Sequence, residues 1–244
     1  MGGILELANN RLYHSWGRLE NGLLTGDSQN EFTNAQNDSF TELYKVPEKL
    51  KEFVNAMSGI SAGNFTAFAQ KFDFSAYETL TDVGGAGALL SIIVARHQPH
   101  LRCISFDLPS VEPIAAENIQ SAGLKPRVSV ASGDFFAGEI PKADIIVMGN
   151  ILHDWDEDKK LFLMKKAYDA LPANGAFVAI ENVIDDERKK NAFGMMMSLN
   201  MLVQTGKGFD YTFADFNKWA GAVGFGRTEI IPLAGAASAV VGYK

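Results

Sequence analysis

The sequence predicts an α/β protein with a doubly wound, mostly parallel sheet of seven strands and a helical N-terminal segment. Two patterns lead to this prediction. An apolar run, Leu80–Val83, ends in the glycines Gly84, Gly85 and Gly87, and a helix-like stretch follows them, as in a strand–turn–helix unit that leaves backbone open to a ligand. From residue 78 onward, short apolar strands alternate with helices, which is typical of a parallel sheet covered on both faces.

The N-terminal part is predicted to be helical. Apolar residues recur at three- and four-residue steps over 5–23, which indicates an amphipathic helix that ends near Gly26. The polar stretch 26–39 is typical of a loop. Two further helices are expected over 47–57 and 62–72, separated at Gly59.

The alternating part is predicted in order from the same signals. Pro109 suits the first position of a helix, and Asp156 is a good N-cap for another. The expected helices cover 88–97, 109–122, 157–171, 191–204 and 212–223. The expected parallel strands cover 80–83, 101–106, 128–131, 144–148 and 176–180, and the runs 227–232 and 238–243 resemble an antiparallel pair.

Composition narrows the classes of function. The 244 residues carry a formal net charge of −7, and the sequence shows no basic stripe, so a nucleic-acid partner is not expected. No apolar run approaches the roughly 18–20 residues that span a bilayer, and the N-terminus lacks a signal-peptide pattern, so no membrane partner is expected. A single cysteine, Cys103, permits no internal disulfide. We therefore expect a cytoplasmic protein.

Side chains at three strand ends indicate a nucleoside site. Asp107 ends the second strand twenty residues after Gly87, the spacing at which a carboxylate accepts hydrogen bonds from ribose hydroxyls. Gly133, Asp134 and Phe135 follow the third strand, where the acid can accept from an exocyclic amino group and the ring can pack on a purine. Because the carboxyl ends of parallel strands share one edge, these groups should line one pocket, which suits adenosine without a pyrophosphate.

Two other interpretations of the glycine turn remain open at this point. One is a tight strand–helix turn that binds nothing, since a lone G-x-G is a weak signal. The other is a nicotinamide dehydrogenase, whose fingerprint has a third glycine where this chain has Leu90.

A histidine follows the fourth strand in the segment 149–155, at the same sheet edge. With an ordinary pKa near 6.5, His153 is suited to take a proton from a hydroxyl at neutral pH. A histidine that only satisfies local backbone is the alternative. The remaining histidines, His14, His97 and His100, lie in helical or loop contexts and are expected to be solvated or packing residues.

Four segments together resemble one known family, the S-adenosylmethionine-dependent O-methyltransferases of the plant caffeate/hydroxyindole type and their bacterial polyketide-tailoring relatives. The resemblance runs from about Gly3 to the C-terminus and is most specific in the Leu-His-Asp-Trp element. The segments are Asp82-Val83-Gly84-Gly85, Phe106-Asp107-Leu108-Pro109, Gly133-Asp134-Phe135-Phe136 and Ile151-Leu152-His153-Asp154-Trp155.

This resemblance implies a class I, Rossmann-like methyltransferase fold and roles for individual residues. His153 would be the general base, oriented by Glu181 and by Asp210, and the acceptor would be a small, hydroxylated, aromatic metabolite. No metal is implied, and no cluster with metal-ligand spacing is found in the sequence. Substrate-binding roles fall on Asn150, Met197 and Met201. The cofactor, S-adenosylmethionine, would be bound by Asp82, Gly84, Gly85, Gly87, Asp107, Leu108, Gly133, Asp134, Phe135 and Gly149.

The resemblance also implies a domain organisation. We expect residues 1–75 to be a helical linker or lid, and residues 76–244 to be the catalytic domain that binds S-adenosylmethionine. Members of the family carry a dimerisation domain before this point, so the chain resembles a catalytic-domain fragment or a short form. Full-length relatives are expected to be homodimers, an expectation that does not extend to this chain. The main alternative is a module that binds S-adenosylmethionine with little or no turnover.

Overall fold

The computed structural model describes residues 2–32 and 39–244. Seven strands form a single sheet in the order β3-β2-β1-β4-β5-β7-β6. The strands are β1 (Thr79–Val83), β2 (Arg102–Asp107), β3 (Val128–Ser132), β4 (Ile145–Gly149), β5 (Ala176–Glu181), β6 (Arg227–Pro232) and β7 (Ser238–Tyr243). The first five pair in parallel, while β7 runs antiparallel to both β5 and β6. The predicted doubly wound, mostly parallel sheet is therefore confirmed.

Helices cover both faces of the sheet and form the N-terminal segment. They are α1 (Gly2–Leu7), α2 (Tyr13–Trp16), α3 (Leu19–Thr25), α4 (Ser39–Tyr44), α5 (Pro47–Lys71), α6 (Leu89–His97), α7 (Glu112–Ser121), α8 (Glu157–Ala170), α9 (Ala192–Thr205) and α10 (Phe213–Val223). None of the helices in the described ranges combines the length and apolar character that crossing a bilayer requires.

The N-terminal helix differs from its prediction. A wide π-turn, Ala8–Leu12, follows α1, and Gly17 and Arg18 separate α2 from α3. Gly26 ends α3 in the left-handed conformation with φ of 77°, as the sequence indicates. Of the loop predicted for 26–39, the part at 33–38 lies outside the described residues.

Two helix boundaries in the sequence prediction are wrong. Residues 47–71 form one continuous helix, α5, and Gly59 does not interrupt it. A glycine inside a helix costs only about 1 kcal/mol relative to alanine, and the buried face of α5 outweighs this cost. Helix α7 begins at Glu112, because Leu108 and Pro109 lie in turns closed by the amides of Val111 and Glu112. The proline near its start is Pro113.

Strand alternation distributes the core over the two faces of the sheet. In β4, Ile145 and Val147 pack with the phenylalanines of α5, whereas Ile146 and Met148 pack with α8 and α10. Strand side chains alternate between faces, so a strand buried on both sides is apolar throughout. The order of the strands reverses between β1 and β4, and the crevice at their carboxyl ends is where open α/β sheets bind ligands.

Candidate active site

The glycine turn after β1 is built by close packing. A Cβ at Gly84 would lie 2.3 Å from Cδ1 of Ile151, and one at Gly85 would lie 2.3 Å from Oγ of Ser105. Both amides donate to the carbonyl oxygen of Phe106, at 2.8 and 3.2 Å. These two glycines therefore let the turn approach β2 and the loop after β4, while their backbone still lines the cleft described below.

Asp107, at the end of β2, ties the glycine turn to the neighbouring loop. Its Oδ2 accepts the amide of Ala86 at 2.8 Å, and its Oδ1 accepts the amide of Leu108 at 2.7 Å. Burial raises the pKa of this carboxyl group to about 6, although the two amide hydrogen bonds act in the opposite direction and lower it. Each oxygen keeps a further lone pair, so the carboxylate can accept from ligand hydroxyls in the cleft.

Asp82 lies beneath the same turn and is 3% exposed. Its Oδ2 accepts from the hydroxyl of Ser91 at 3.1 Å. Burial raises the pKa of Asp82 to about 7, and the hydrogen bond from Ser91 and the negative charge of Asp107 act in opposite directions on it.

The end of β3 carries the predicted acid and aromatic. Oδ1 of Asp134 accepts the amide of Phe136 at 2.7 Å, which fixes the turn, and the side chain remains at the cleft. The ring of Phe135 packs against Phe136 and Trp155, with centroid distances of 4.9 and 6.3 Å. A Cβ at Gly133 would lie 2.9 Å from the ring of Phe106, so this glycine serves the packing below the site.

A cleft joins these groups, and it contains about 1040 Å³ of empty space when the open solvent at its mouth is included. The N-terminal helices form the wall opposite the strand ends through Phe40, Tyr44, Phe53, Met57, Ser58, Ser61 and Phe65. Phe40 reaches across to Trp155, with ring centroids 6.1 Å apart.

The cleft fits a nucleoside cofactor. Asp82, which is buried, and Asp107, which is partly buried, line the cleft and are hydrogen-bond acceptors for hydroxyl groups. The aromatic rings around Trp155 offer faces for a purine. The indole Nε1 of Trp155 is buried without a hydrogen-bond partner among the described residues.

The 3₁₀ turn Leu152–Asp154 after β4 carries Asp154, which lines the cleft, and His153 next to it. The ring is 5% exposed and lies behind Asp154, which lines the cleft while His153 itself does not. Its Nδ1 is 3.3 Å from Oδ1 of Asp210, and its Nε2 is 3.8 Å from Oδ1 of Asp154. The structure thus brings the predicted base and Asp210 into contact.

Glu181 meets His153 differently from the prediction that it orients the ring. Its Oε1 accepts the backbone amide of His153 at 3.0 Å, so it holds the turn rather than the imidazole. Tyr211 places its phenol oxygen next to this carboxylate without a hydrogen bond of ordinary geometry. Burial raises the pKa of Glu181 and, together with the charge of Glu181, that of Tyr211.

The charge on His153 depends on three carboxylates. Burial alone would lower its pKa, but the hydrogen bond with Asp210 and the negative charges of Asp154, Asp210 and Glu181 raise the pKa to about 10. Burial raises the pKa of Asp154 to about 7, against the nearby His153.

The three residues predicted to bind the acceptor lie in different places. Asn150 lines the cleft, adopts φ of 56° and donates from Nδ2 to Oγ of Ser61 at 3.0 Å. Met201 is buried in α9 and Met197 is partly buried there, and neither lines the cleft. Gly149 does line it, and a Cβ there would lie 3.0 Å from the ring of Phe65.

Sequence reasoning missed several residues that hold this site. Oγ of Ser198 accepts the amide of Asp210 at 2.9 Å. A Cβ at Gly208 would lie 2.5 Å from the carbonyl oxygen of His153, so only glycine lets the loop of Asp210 approach. Lys160 is fully buried beside the same acids. The lysine in an otherwise apolar position of α8 was the one available signal.

The fold and the cleft define a class of protein, a doubly wound α/β enzyme that binds a nucleoside cofactor at the carboxyl ends of its strands. A family model described as an O-methyltransferase domain matches residues 16–226. The chain belongs to this family, whose cofactor is S-adenosylmethionine. Membership of this family excludes the alternative interpretation of the chain as a nicotinamide dehydrogenase.

Individual relatives agree with this assignment. The chain is 32% identical over its whole length to a tetracenomycin polyketide synthesis 8-O-methyltransferase of Streptomyces glaucescens and covers 71% of that protein. It is 34% identical over 201 residues, 81% of the chain, to a 3-hydroxy-5-methyl-1-naphthoate 3-O-methyltransferase of Streptomyces sahachiroi and spans 57% of that protein. The structure of PigF, a Serratia protein, with S-adenosylhomocysteine superposes with a TM-score of 0.92 at 26% identity, covering all of this chain and 73% of PigF.

Proposed function

We propose that this chain transfers the methyl group of S-adenosylmethionine to a hydroxyl group of a small aromatic metabolite, with His153 as the general base. The observation that supports this most is the contact between Nδ1 of His153 and Asp210, directly behind Asp154, which lines the cleft. An Nδ1–H that donates to this carboxylate leaves Nε2 with a free lone pair. That nitrogen can then accept the proton of the acceptor hydroxyl.

The proposed cofactor site uses the ends of the first four strands. Asp107 would accept from the ribose hydroxyls, Asp134 and Phe135 would hold the adenine, and the backbone around Gly84 to Gly87, with Asp82, Leu108 and Gly149, would enclose the remainder. Gly133 supports this wall through its contact with Phe106. S-adenosylmethionine supplies an electrophilic methyl carbon and a positive charge that lowers the pKa of a neighbouring imidazole.

The residues around His153 are suited to hold a proton on the imidazole after transfer. The negative charges of Asp154, Asp210 and Glu181 stabilise the imidazolium. Because these charges raise the pKa of His153, the ring is a strong base once it has lost its own proton. A base placed in this way contributes roughly 10²–10⁴-fold to the rate.

The relatives and the lining of the cleft support an aromatic acceptor. The two Streptomyces relatives are named for O-methylation of a polyketide and of a naphthoate. Asn150 lies at the cleft, and Met197 and Met201 would lie at the acceptor end. Asp210 orients the imidazole of His153 directly, and Glu181 orients it through the backbone amide of the turn. Residues 1–75 form a helical linker and lid segment on the domain 76–244, and Tyr44, Phe53 and Phe65 contribute to the wall of the cleft. The buried, free thiol of Cys103 agrees with a cytoplasmic location.

Turnover measurements on purified protein test this proposal. The protein is incubated with S-adenosylmethionine and a panel of phenols and hydroxynaphthoates, and release of S-adenosylhomocysteine is measured. We expect turnover with at least one acceptor and a loss of roughly 10²–10⁴-fold in kcat for His153→Gln, the usual contribution of a general base. His97→Gln, on the surface of α6, is the matched control and should behave as wild type.

Two results would contradict the proposal. If His153→Gln retains wild-type kcat, the imidazole is not the base. If the wild-type chain binds S-adenosylhomocysteine in a calorimeter but no acceptor in the panel yields product, the binding-module alternative replaces the enzyme.

A further inference from the structure

Lys160 in α8 is fully buried, although lysine is among the side chains least often found inside a protein. Its Nζ donates to the carbonyl oxygen of Trp155 and lies 3.5 Å from the ring centroid of Phe209. These contacts fix the position of the ammonium group. A buried ammonium is nevertheless costly unless negative charge lies near it.

Three elements of the active site supply that charge. Asp154 and Asp210 are the chain neighbours of Trp155 and Phe209, which contact Lys160, and Glu181 at the end of β5 accepts the amide of His153 in the same cluster. The negative charges of all three oppose the effect of burial on the pKa of Lys160. Asp156, the N-cap of its own helix, adds a fourth negative charge. The first three acids are the ones that surround His153. The lysine and the proposed base therefore share one set of carboxylates.

We propose that Lys160 is a positioning residue for the reaction: its positive charge favours the ionised form of Asp154, the carboxyl group beside Nε2 of His153. This inference rests on the role of His153 proposed above. Oδ1 of Asp154 lies 3.8 Å from Nε2, the nitrogen that would receive the proton. An ionised Asp154 stabilises the imidazolium at that nitrogen, whereas a protonated one does not.

The titration behaviour of the two groups agrees with this assignment. Burial raises the pKa of Asp154 to about 7, and the positive charges of His153 and Lys160 oppose the rise. Burial also lowers the pKa of Lys160 to about 8, while the four acids counteract it. Lys160 is therefore mostly charged at neutral pH, where its charge lowers the pKa of Asp154, and it loses this charge in mildly alkaline solution.

The experiment follows the imidazole of His153 by NMR during a pH titration of ¹⁵N-histidine-labelled protein. The His153→Gln variant identifies its signal among the four histidines. We expect the imidazole signal to sense the ionisation of Asp154 as a step near pH 7. We expect this step about one unit higher in Lys160→Met and Lys160→Gln, the lower end of the effect of an adjacent charge. Lys160→Arg, which keeps the charge, should titrate as wild type.

The variants separate charge from packing. Lys160→Gln keeps a donor for the carbonyl of Trp155 and loses only the charge, so it tests the inference even if Lys160→Met does not fold. Lys165→Met, on the exposed face of the same helix, is the matched control and should leave the step in place. The rise of kcat/KM with pH should shift in the same direction as the NMR step.

An unchanged step in Lys160→Gln would overturn the inference, and so would an equal shift in Lys160→Arg, which would indicate packing instead of charge. The outcome is independent of the proposed function, because the NMR titration needs no turnover. If the wild-type chain shows no methyl transfer while the step still moves, only the reaction assigned to the site is wrong.

Discussion

Asp82 lies directly beneath the glycine turn, where it is shielded from water and accepts one hydrogen bond from Ser91. Its carboxyl group has a pKa of about 7 in the folded protein, against an ordinary value of 3.8. Between these values the folded chain binds a proton that the unfolded chain has released. The free energy of unfolding contributed by this residue therefore decreases as the pH rises through that window.

The substitution Asp82→Asn should remove this decrease in the free energy of unfolding at high pH. Asparagine keeps an oxygen that can accept from Ser91 and carries no charge to bury. We expect the variant to be more stable than wild type at pH 8 by about 1–3 kcal/mol, and to differ much less at pH 4, since one pKa unit corresponds to about 1.36 kcal/mol. Urea unfolding without cofactor at the two pH values measures the difference. Asp169→Asn, at an exposed position of α8, serves as the control.

A stability difference that is the same at both pH values would show that Asp82 acts through packing or hydrogen bonding, and would contradict a titration of this carboxyl.

The residues of the site were predictable to the extent that chain topology implies them. Asp107 and Asp134 follow strands that the sequence reveals, and parallel strands end at one edge, so their meeting was expected. The contacts of Gly208 and Lys160 with the turn of His153 could not be predicted in this way. They depend on how the loop before α10 packs against that turn and on which face of α8 is buried, and local periodicity does not encode either.

At the level of elements, helix α5 connects the core with the wall of the cleft. Phe68 and Phe72 pack into the core, whereas Phe53, Met57 and Phe65 line the cleft. The sequence predicted two helices here, because Gly59 is a break signal. Tertiary packing along 25 residues outweighs one such signal, and so the break is absent.

Gly63, also within α5, is a place to stabilise the protein. A Cβ there would make only an ordinary contact of 3.9 Å with Cβ of Ala234. We expect Gly63→Ala to raise the free energy of unfolding by roughly 0.5–1 kcal/mol, because alanine loses less backbone entropy than glycine when the helix forms. Chemical denaturation measures the change.

Gly208→Ala is the contrasting variant. Its Cβ would lie 2.5 Å from a backbone oxygen, and we expect it to destabilise the fold. If Gly63→Ala is less stable than wild type, the added methyl group is not accommodated between α5 and the loop of Ala234.

The strand prediction succeeded because each strand carries its own clear signal in the sequence. Each central strand is buried on both faces, so its apolar run is continuous and its ends are marked by glycine or acidic residues. The five parallel strands begin and end within about a residue or two of their predicted bounds. The predicted start of α7 was wrong because Pro109 and Pro113 are both compatible with the first turn of a helix.

For the whole molecule, the N-terminal helices and the sheet enclose the cleft together. Tyr44 and Phe53 form part of one wall, and the strand ends form the other. A ligand that contacts both walls stabilises the closed arrangement by mass action. The turn at Lys45, between α4 and α5, is exposed and reports on this arrangement.

Limited trypsin digestion should detect the closure. We expect saturating S-adenosylhomocysteine to slow cleavage after Lys45 by about 10-fold or more, since a ligand at 100 times its Kd contributes about 2.7 kcal/mol. Cleavage after Lys189, in an exposed loop whose residues do not line the cleft, should change little. Mass spectrometry of the fragments over time gives both rates. Equal protection at both sites would indicate global stabilisation and no specific closure of the N-terminal segment.

The unbroken course of α5 decides how the entrance can widen. A helix of 25 residues is a rod about 37 Å long, and its far end is anchored in the core by Phe68 and Phe72. Bending it would break backbone hydrogen bonds, so we expect this part of the wall to stay in place when ligands come and go. We expect any widening of the entrance to come from movement of α4, which lies beyond Lys45 and Val46, where the backbone leaves helical geometry.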